Sequence, residues 1–275
     1  MSYLLRRTEE NLFHGKFSTF PEDWVAHAIS TRIGGVSQSP YDSLNLALHV
    51  GDDSEKVLAN RKKFAQSLGF QLEDIVTPNQ VHGDKIFRAE EIHRGRGSQS
   101  YADSISETDA LITNVKNLPL MLCFADCVPI MFVDVENFAV GIAHGGWKGT
   151  LNKIAAKTFL AMKNNFGTTA EKCLVGIGPS IGACCYEVGA NVVETCKKNF
   201  PNHDELIINR DGKIFLDLWA ANKIQLMEVG LPEKNIDVAG ECTCCNSNWY
   251  FSYRDARKNN FSDTGRIAAL IGIKD

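Results

Sequence analysis

Three short segments place metal-binding side chains beside glycine or at the ends of apolar runs: Gln80-Val81-His82-Gly83, Ala125-Asp126-Cys127-Val128, and Ala143-His144-Gly145-Gly146-Trp147-Lys148-Gly149-Thr150. Each follows or interrupts an apolar run, so each can deliver one side chain to the same rim of a sheet. Two imidazoles and one thiolate suit Zn²⁺, and three protein ligands leave a fourth position for water or substrate, as in catalytic rather than structural zinc sites. The separations of His82, Cys127 and His144, 45 and 17 residues, match no zinc-finger spacing. The same residues also read as two strand-end histidines bonded to backbone and a buried core cysteine. A further reading makes Cys127 a nucleophile with His144 as its base, giving a cysteine hydrolase that acts on an amide.

Anion-binding candidates are of three kinds. Gly145 to Thr150 is a glycine-rich turn leading into a helix that starts near Thr150, where backbone amides, the helix dipole and Lys148 can hold an anion. It is not a Walker loop, because no Gly-Lys-Ser/Thr follows four spacer residues. Arg32, on a strand running into a glycine turn, and Arg61, on the flank of a helix away from its apolar stripe, can each clamp phosphate bidentately or serve as surface ion-pair partners. Gly176 to Gly182 (GIGPSIG) has its third glycine one position late for a dinucleotide loop, and Pro179 removes a donor, so it reads as a turn. Cys242-Thr243-Cys244-Cys245 has no second ligand pair at finger-like spacing and reads as buried thiols.

The elements that must position these groups form a mixed pattern. Strands are expected at Val25–Ser30, Lys85–Arg88, Ala110–Thr113, Leu118–Phe124, Pro129–Val133, Ala139–Ala143, Cys173–Ile177, Ile214–Leu216, Ile236–Ala239 and Ile267–Ile271. Helices are expected from Ser54, as cap, to about Leu68; from about Thr150 to Asn165, with Ile154, Thr158 and Leu160 to Met162 buried; at Leu218–Val229; and at about Ala190–Asn199. Strands cluster between 110 and 144 ahead of a single helix, which is not a strict βαβ alternation. The fold class is therefore α/β (α+β), with layered mixed β-sheets flanked by helices. Without an internal repeat or a Pro/Ser-rich linker, residues 1–275 read as one domain.

Composition narrows the function classes. The 275 residues are 44% hydrophobic and 23% charged, values of an ordinary globular protein. A net charge of -4 provides no basic field for a nucleic-acid backbone. The longest apolar stretch, Leu118 to Val135, is interrupted by Asp126, Pro129 and Asp134 and reads as buried strands rather than a membrane span. The charged N-terminus, with Arg6, Arg7, Glu9 and Glu10, lacks the apolar centre of a secretory signal. Nine cysteines, an odd number with two adjacent pairs, point to a reducing cytoplasm.

Taken together the segments resemble a known family. Ser30 to Ser37 (STRIGGVS), Asn45 to Asp53 (NLALHVGDD), Asn60-Arg61, QVHG, Thr108 to Thr113 (TDALIT), Ala125 to Pro129 (ADCVP), AHGGWKGT, Gly176 to Cys184, Cys242 to Cys245, Phe251 to Arg254 (FSYR) and Thr264 to Arg266 (TGR) resemble the YfiH family over about residues 24 to 272. That family was long labelled polyphenol oxidase or multicopper laccase-like and is now associated with purine nucleoside phosphorylase and adenosine deaminase activity. The resemblance implies a zinc ion held by His82, Cys127 and His144, a fold likened to a toxin cysteine hydrolase, and adenosine, inosine or methylthioadenosine with phosphate as substrates.

For phosphorolysis, phosphate attacks the anomeric carbon while the purine leaves, so the site needs anion donors on one side and base contacts on the other. Arg32, Arg61, Lys148 and the helix N-terminus are the candidates for the first task, and Asn45 and Gln80 for neutral contacts. For deamination, a metal-activated water needs a carboxylate proton shuttle, for which Asp126 and Asp109 are available. A multicopper oxidase of the ordinary type relies on many histidines, largely in His-X-His pairs; this chain has seven and no such pair. A two-histidine, one-cysteine site can still take up Cu²⁺ in vitro and oxidise phenols weakly. Two further alternatives are an amidase that edits peptidoglycan precursors and a non-enzymatic module that zinc merely braces.

Overall fold

The computed structural model describes residues 3–8 and 11–275; Met1, Ser2, Glu9 and Glu10 lie outside the described residues. The apolar stretch Leu118 to Val135 divides at Ala125-Asp126-Cys127 into two strands that belong to different sheets. Leu120–Phe124 joins a five-stranded antiparallel sheet with Tyr3–Arg7, Phe13–Phe17, Val25–Ser30 and Ile267–Ile273. Val128–Asp134 joins a six-stranded mixed sheet, in the order Ile236–Val238, Cys173–Ile177, Val128–Asp134, Ala139–Gly145, Ala110–Thr113, Ile86–Arg88, whose two outermost pairs are parallel.

Alternation of side chains along each strand sorts the core into three layers. Leu120, Leu122, Phe124, Ile267 and Ala269 of the first sheet meet Leu111, Met131, Val133, Val140 and Ile142 of the second. On the far face of the first sheet, Met121, Cys123, Ala268 and Leu270 pack against Phe64 and Ala65 of the helix Ser54–Gln66. On the far face of the second, Ala110, Ile130, Phe132 and Ala143 pack against the helices Ile154–Phe166, Ala190–Asn199 and Leu218–Glu228. The result is helix, sheet, sheet, helices: the layered α/β arrangement expected from the sequence.

Details differ from the sequence expectation for local reasons. Asp53, not Ser54, caps the first helix, its carboxylate accepting the Glu55 N–H at 2.9 Å. The single helix expected from Thr150 is two, Trp147–Leu151 and Ile154–Phe166, broken where Lys153 turns left-handed at φ 66°. Leu160 faces outward at 40% exposure, while Ile154, Thr158 and Met162 are buried. An Asp211-Gly212 turn, both residues at positive φ, closes a hairpin of Ile207–Arg210 on Lys213–Leu216, and its first strand lies outside the strands expected from the sequence. Among the described residues, no helix is long and apolar enough to cross a membrane.

Candidate functional site

Cys127 lies at the crossover between the sheets, one residue before Val128 pairs with Gly145. That register sets Pro129 opposite His144, so the cysteine and His144 emerge at the same sheet end. The strand Ala110–Thr113 lies on the other side of Ala139–Gly145, with Ala110 opposite Ala143, and brings Asp109 beneath His144. The fully buried Asp109 carboxylate lies 2.8 Å from His144 Nδ1 and accepts the backbone N–H groups of Val81, His82 and Gly83. It thereby holds the turn that carries His82, which itself sits at φ 59°.

The glycines of Ala143 to Thr150 serve close approach. A Cβ on Gly146 would come within 3.0 Å of the His82 ring and 3.3 Å of Cys127 Sγ, and one on Gly149 within 2.7 Å of the Gly83 carbonyl. The glycine-rich turn thus lets three chain segments meet. The helix that follows it is only five residues long, so the expected anion-binding helix start near Thr150 is not built.

Ligand atoms of His82, Cys127 and His144 all lie within 4.8 Å of one another, and the two imidazoles meet edge to face at 4.8 Å. Burial pushes the Cys127 thiol up, but the neighbouring His144 and His82 imidazoles draw it down to about 6. Burial lowers His144, whereas the Cys127 sulfur and the Asp109 carboxylate raise it. The thiol is therefore prepared as a thiolate, the form that both metals and acyl groups require. Two imidazole nitrogens, a thiolate and a carboxylate behind one imidazole fit a borderline divalent ion such as Zn²⁺ or Cu²⁺, since metal-bound histidines usually donate their second ring N–H to such a partner.

A two-lobed cleft opens onto this trio, the lobes sharing His82, Ala125, Cys127 and Tyr253. One lobe, of about 310 Å³, is lined by His49, Gln80, Cys123, His144 and Arg266. The other, of about 240 Å³, is walled by Trp147, Ile181, Tyr186, Leu218, Asp126 and Arg254. The volumes suit a small organic ligand with one polar and one aromatic half. Burial, with the Arg266 and Arg61 charges beside it, lowers His49 to about 4, so it enters the cleft as a neutral imidazole.

The candidate substrate residues fare unequally. Gln80 lines the cleft, although its amide is paired with Cys123, donating to the carbonyl and accepting the N–H, both at 2.9 Å. Arg61 is 2% exposed rather than on a free flank, and donates to the carbonyls of Leu46, Gly97 and Ser98, leaving little for phosphate. Asn45 is fully buried, its amide donating to Asp52 and its oxygen accepting the N–H groups of Ala47 and Arg266. Arg32 lies outside both lobes, bonded to the carbonyls of Asp42 and Ser247 and stacked 4.7 Å from the Phe251 ring, in a hollow lined by Asp42, Asp255 and Asp263 that would repel an anion. Lys148 is exposed, over the Trp147 ring, and lines neither lobe.

Of the two carboxylates considered as proton shuttles, Asp109 is committed to the four groups above. Asp126 borders the aromatic lobe while accepting the Thr243 hydroxyl and the Arg254 N–H, both at 2.7 Å. Sequence reasoning missed His49, Tyr253, Arg266, Trp147 and Tyr186 as cleft residues. Arg266 and Tyr253 lay in plain view in TGR and FSYR; nothing local tied them to the cleft.

Comparison with known proteins bears on this arrangement. Residues 26–274 match the family model described as multi-copper polyphenol oxidoreductase laccase. The chain is 39% identical over 249 residues to purine nucleoside phosphorylase YlmD of Geobacillus stearothermophilus, covering 90% of this chain and 89% of that one. It is 35% identical over 230 residues to adenosine deaminase RL5 from an unknown prokaryotic organism, covering 82% and 87%. The crystal structure of the Bacillus licheniformis hypothetical protein YfiH superposes with a TM-score of 0.91 at 36% identity, covering 98% of this chain and 99% of that one. With this similarity running along nearly its whole length, the chain belongs to the laccase-like polyphenol oxidoreductase family, whose relatives include proteins named purine nucleoside phosphorylase and adenosine deaminase.

Proposed function

We propose that residues 1–275 act as one catalytic unit, a zinc-dependent purine nucleoside phosphorylase for adenosine, inosine and methylthioadenosine that also deaminates adenosine, in a reducing cytoplasm where its cysteines stay as thiols. The observation that carries this is the meeting of His82, Cys127 and His144 at the neck of a cleft with one polar and one aromatic lobe. The names of the relatives support the substrate class.

His82, Cys127 and His144 would hold the zinc, which when bound supplies positive charge to polarise an oxygen or bring water toward a pKa of about 7. The chain's own residues do the rest. Trp147 and Tyr186 flank the lobe that a flat purine fits, and Arg254 and Asp126 border it. Arg266, whose guanidinium also donates to the Thr264 and Gly265 carbonyls and lies 3.5 Å from Asp263, is the arginine that lines the polar lobe, and it takes the phosphate role expected of Arg32, Arg61 and Lys148. In phosphorolysis a phosphate oxygen forms the new bond to the anomeric carbon as the bond to the purine nitrogen breaks, and the leaving base takes up a proton. Neutral His49 and Gln80 line the side from which phosphate would approach.

A second reading draws on one observation: Cys127, His144 and Asp109 stand in the nucleophile, base and orienting-acid relationship of a hydrolase triad, which suits an amidase. His82, Cys127 and His144 would instead accept copper in a phenol oxidase or hold zinc in a binding module. Metal analysis of the purified chain, followed by adenosine and inosine with and without phosphate, separates these. Ribose 1-phosphate formed only with phosphate, and lost together with the metal in Cys127→Ala or on chelation, is expected. Turnover of an amide by metal-free protein, or undiminished nucleoside turnover by metal-free Cys127→Ala, would overturn the proposal.

A further inference from the structure

We propose that Cys184, Cys185, Cys242 and Cys245 form a second metal site, a closed four-thiolate site for a zinc-class ion that clamps the loop following Cys173–Ile177 to the loop preceding the helix Tyr253–Lys258. The sulfurs of these four residues all lie within 4.8 Å of one another, with Cys184 to Cys245 at 3.5 Å and Cys185 to Cys245 at 3.4 Å. Four sulfurs about 2.3 Å from a tetrahedral zinc would stand about 3.8 Å apart, so the group is nearly arranged for one ion. Cys242 and Cys245 have the two-residue spacing of a zinc knuckle; the partner pair that sequence spacing did not supply comes from a distant loop.

The surrounding backbone suits thiolates. The Gly182 N–H donates to Cys242 Sγ at 3.3 Å. The two loops are aligned like adjacent strands, the Thr243 N–H donating to the Ser180 carbonyl at 3.0 Å and the Ser180 N–H to that of Glu241 at 3.2 Å. This alignment presents the pairs to each other. A divalent ion with four thiolates carries a net double negative charge, and the cluster is ringed by cations. Arg210 donates to the Cys184 carbonyl at 2.9 Å, Arg254 to that of Cys185 at 2.9 Å, and Lys258 lies 3.8 Å from the sulfur of the neighbouring Cys244.

With all four positions taken by protein, this site is structural. Its place gives it consequence for the cleft. Asp126 accepts the Thr243 hydroxyl and the Arg254 N–H, and its carbonyl accepts the Ile181 N–H at 2.9 Å. Ile181, Tyr186 and Arg254 all line the aromatic lobe. The thiolate clamp therefore fixes one wall of the lobe beside Cys127.

The test is metal content of the full chain expressed with zinc, measured by mass spectrometry. Two zinc ions per chain are expected in the wild type, one in the double variant Cys184→Ser/Cys245→Ser, and one in His82→Ala/Cys127→Ala. Failure of the His82 and Cys127 site is thus read separately from failure of this one. If the serine variant does not fold, His82→Ala/Cys127→Ala loaded with Co²⁺ decides: intense thiolate-to-cobalt charge transfer with tetrahedral ligand-field bands is expected. A metal-free His82→Ala/Cys127→Ala chain, an octahedral cobalt spectrum, or a disulfide between the two loops in freshly purified zinc-grown protein would overturn the proposal.

Discussion

Asp109 and His144 are joined by a 2.8 Å contact between Oδ1 and Nδ1, within a carboxylate that is wholly buried. Because the same carboxylate accepts three N–H groups of the turn Val81-His82-Gly83, one side chain aims one imidazole and anchors the backbone of the other. Burial raises the carboxyl, but His144 and the backbone donors hold it below the usual carboxylate range, so it stays ionised.

Asp109→Asn keeps the size of the side chain but replaces one acceptor oxygen with a donor facing other donors. Metal affinity at the His82 site is expected to fall by about 10–100-fold. Stability should fall by about 1–3 kcal/mol for the donors left unpaired. Competition with a chromophoric chelator and urea unfolding check the two effects; unchanged affinity would remove Asp109 from the role of orienting His144.

Arg61→Lys distinguishes a structural guanidinium from a phosphate clamp. A lysine cannot reach the Leu46, Gly97 and Ser98 carbonyls together, so the variant should lose about 3 kcal/mol of stability. The KM for phosphate should be unchanged at a temperature where the variant remains folded. A raised KM with unaltered stability would return Arg61 to the substrate.

Arg266→Ala and Arg32→Ala form a matched pair. Loss of the Arg266 guanidinium from the polar lobe should raise the KM for phosphate by about 10–100-fold, the worth of a charged hydrogen bond of roughly 1.5–3 kcal/mol. Arg32→Ala, outside both lobes, should leave it unchanged. Steady-state phosphorolysis of inosine across a phosphate series measures both.

His27 supplies the pH dependence. Its ring is 1% exposed and Nε2 accepts the Phe17 N–H at 2.9 Å, which requires the neutral form. Burial, with lesser contributions from the Lys16, His14 and Arg6 charges, lowers it to about 3. The unfolded chain therefore takes up this proton first, so the stabilisation is fully present above about pH 6.5 and is lost as pH falls toward 3, at about 1.4 kcal/mol per pH unit. Urea unfolding of wild type and His27→Gln over this range should differ in slope by about one proton; parallel curves would contradict the assignment.

Much of this was legible in the sequence because the signals are local. Alternating and continuous apolar runs marked most strands, and Gly167 marked a helix end that indeed closes left-handed at φ 78°. His82, Cys127 and His144 stood out because strand ends beside glycine or a polar turn are where a sheet offers side chains to a ligand. The placement of Arg61 and Asn45 was not legible for the opposite reason: a motif such as Asn60-Arg61 gives residue types, but not whether a polar group faces a cleft or a buried carbonyl.

By itself the sequence determined the layered α/β class, the three segments bearing possible ligands and the small negative net charge, since periodicity, residue type and net charge are properties of short stretches or simple sums. Only the tertiary structure decided that Asp109 stands behind His144, that Arg266 rather than Arg61 enters the cleft, and that Cys184-Cys185 meets Cys242 and Cys245. Those relations depend on strand register and on the crossover at residues 125–127, which bring together groups far apart along the chain, and no local pattern encodes a distance between them.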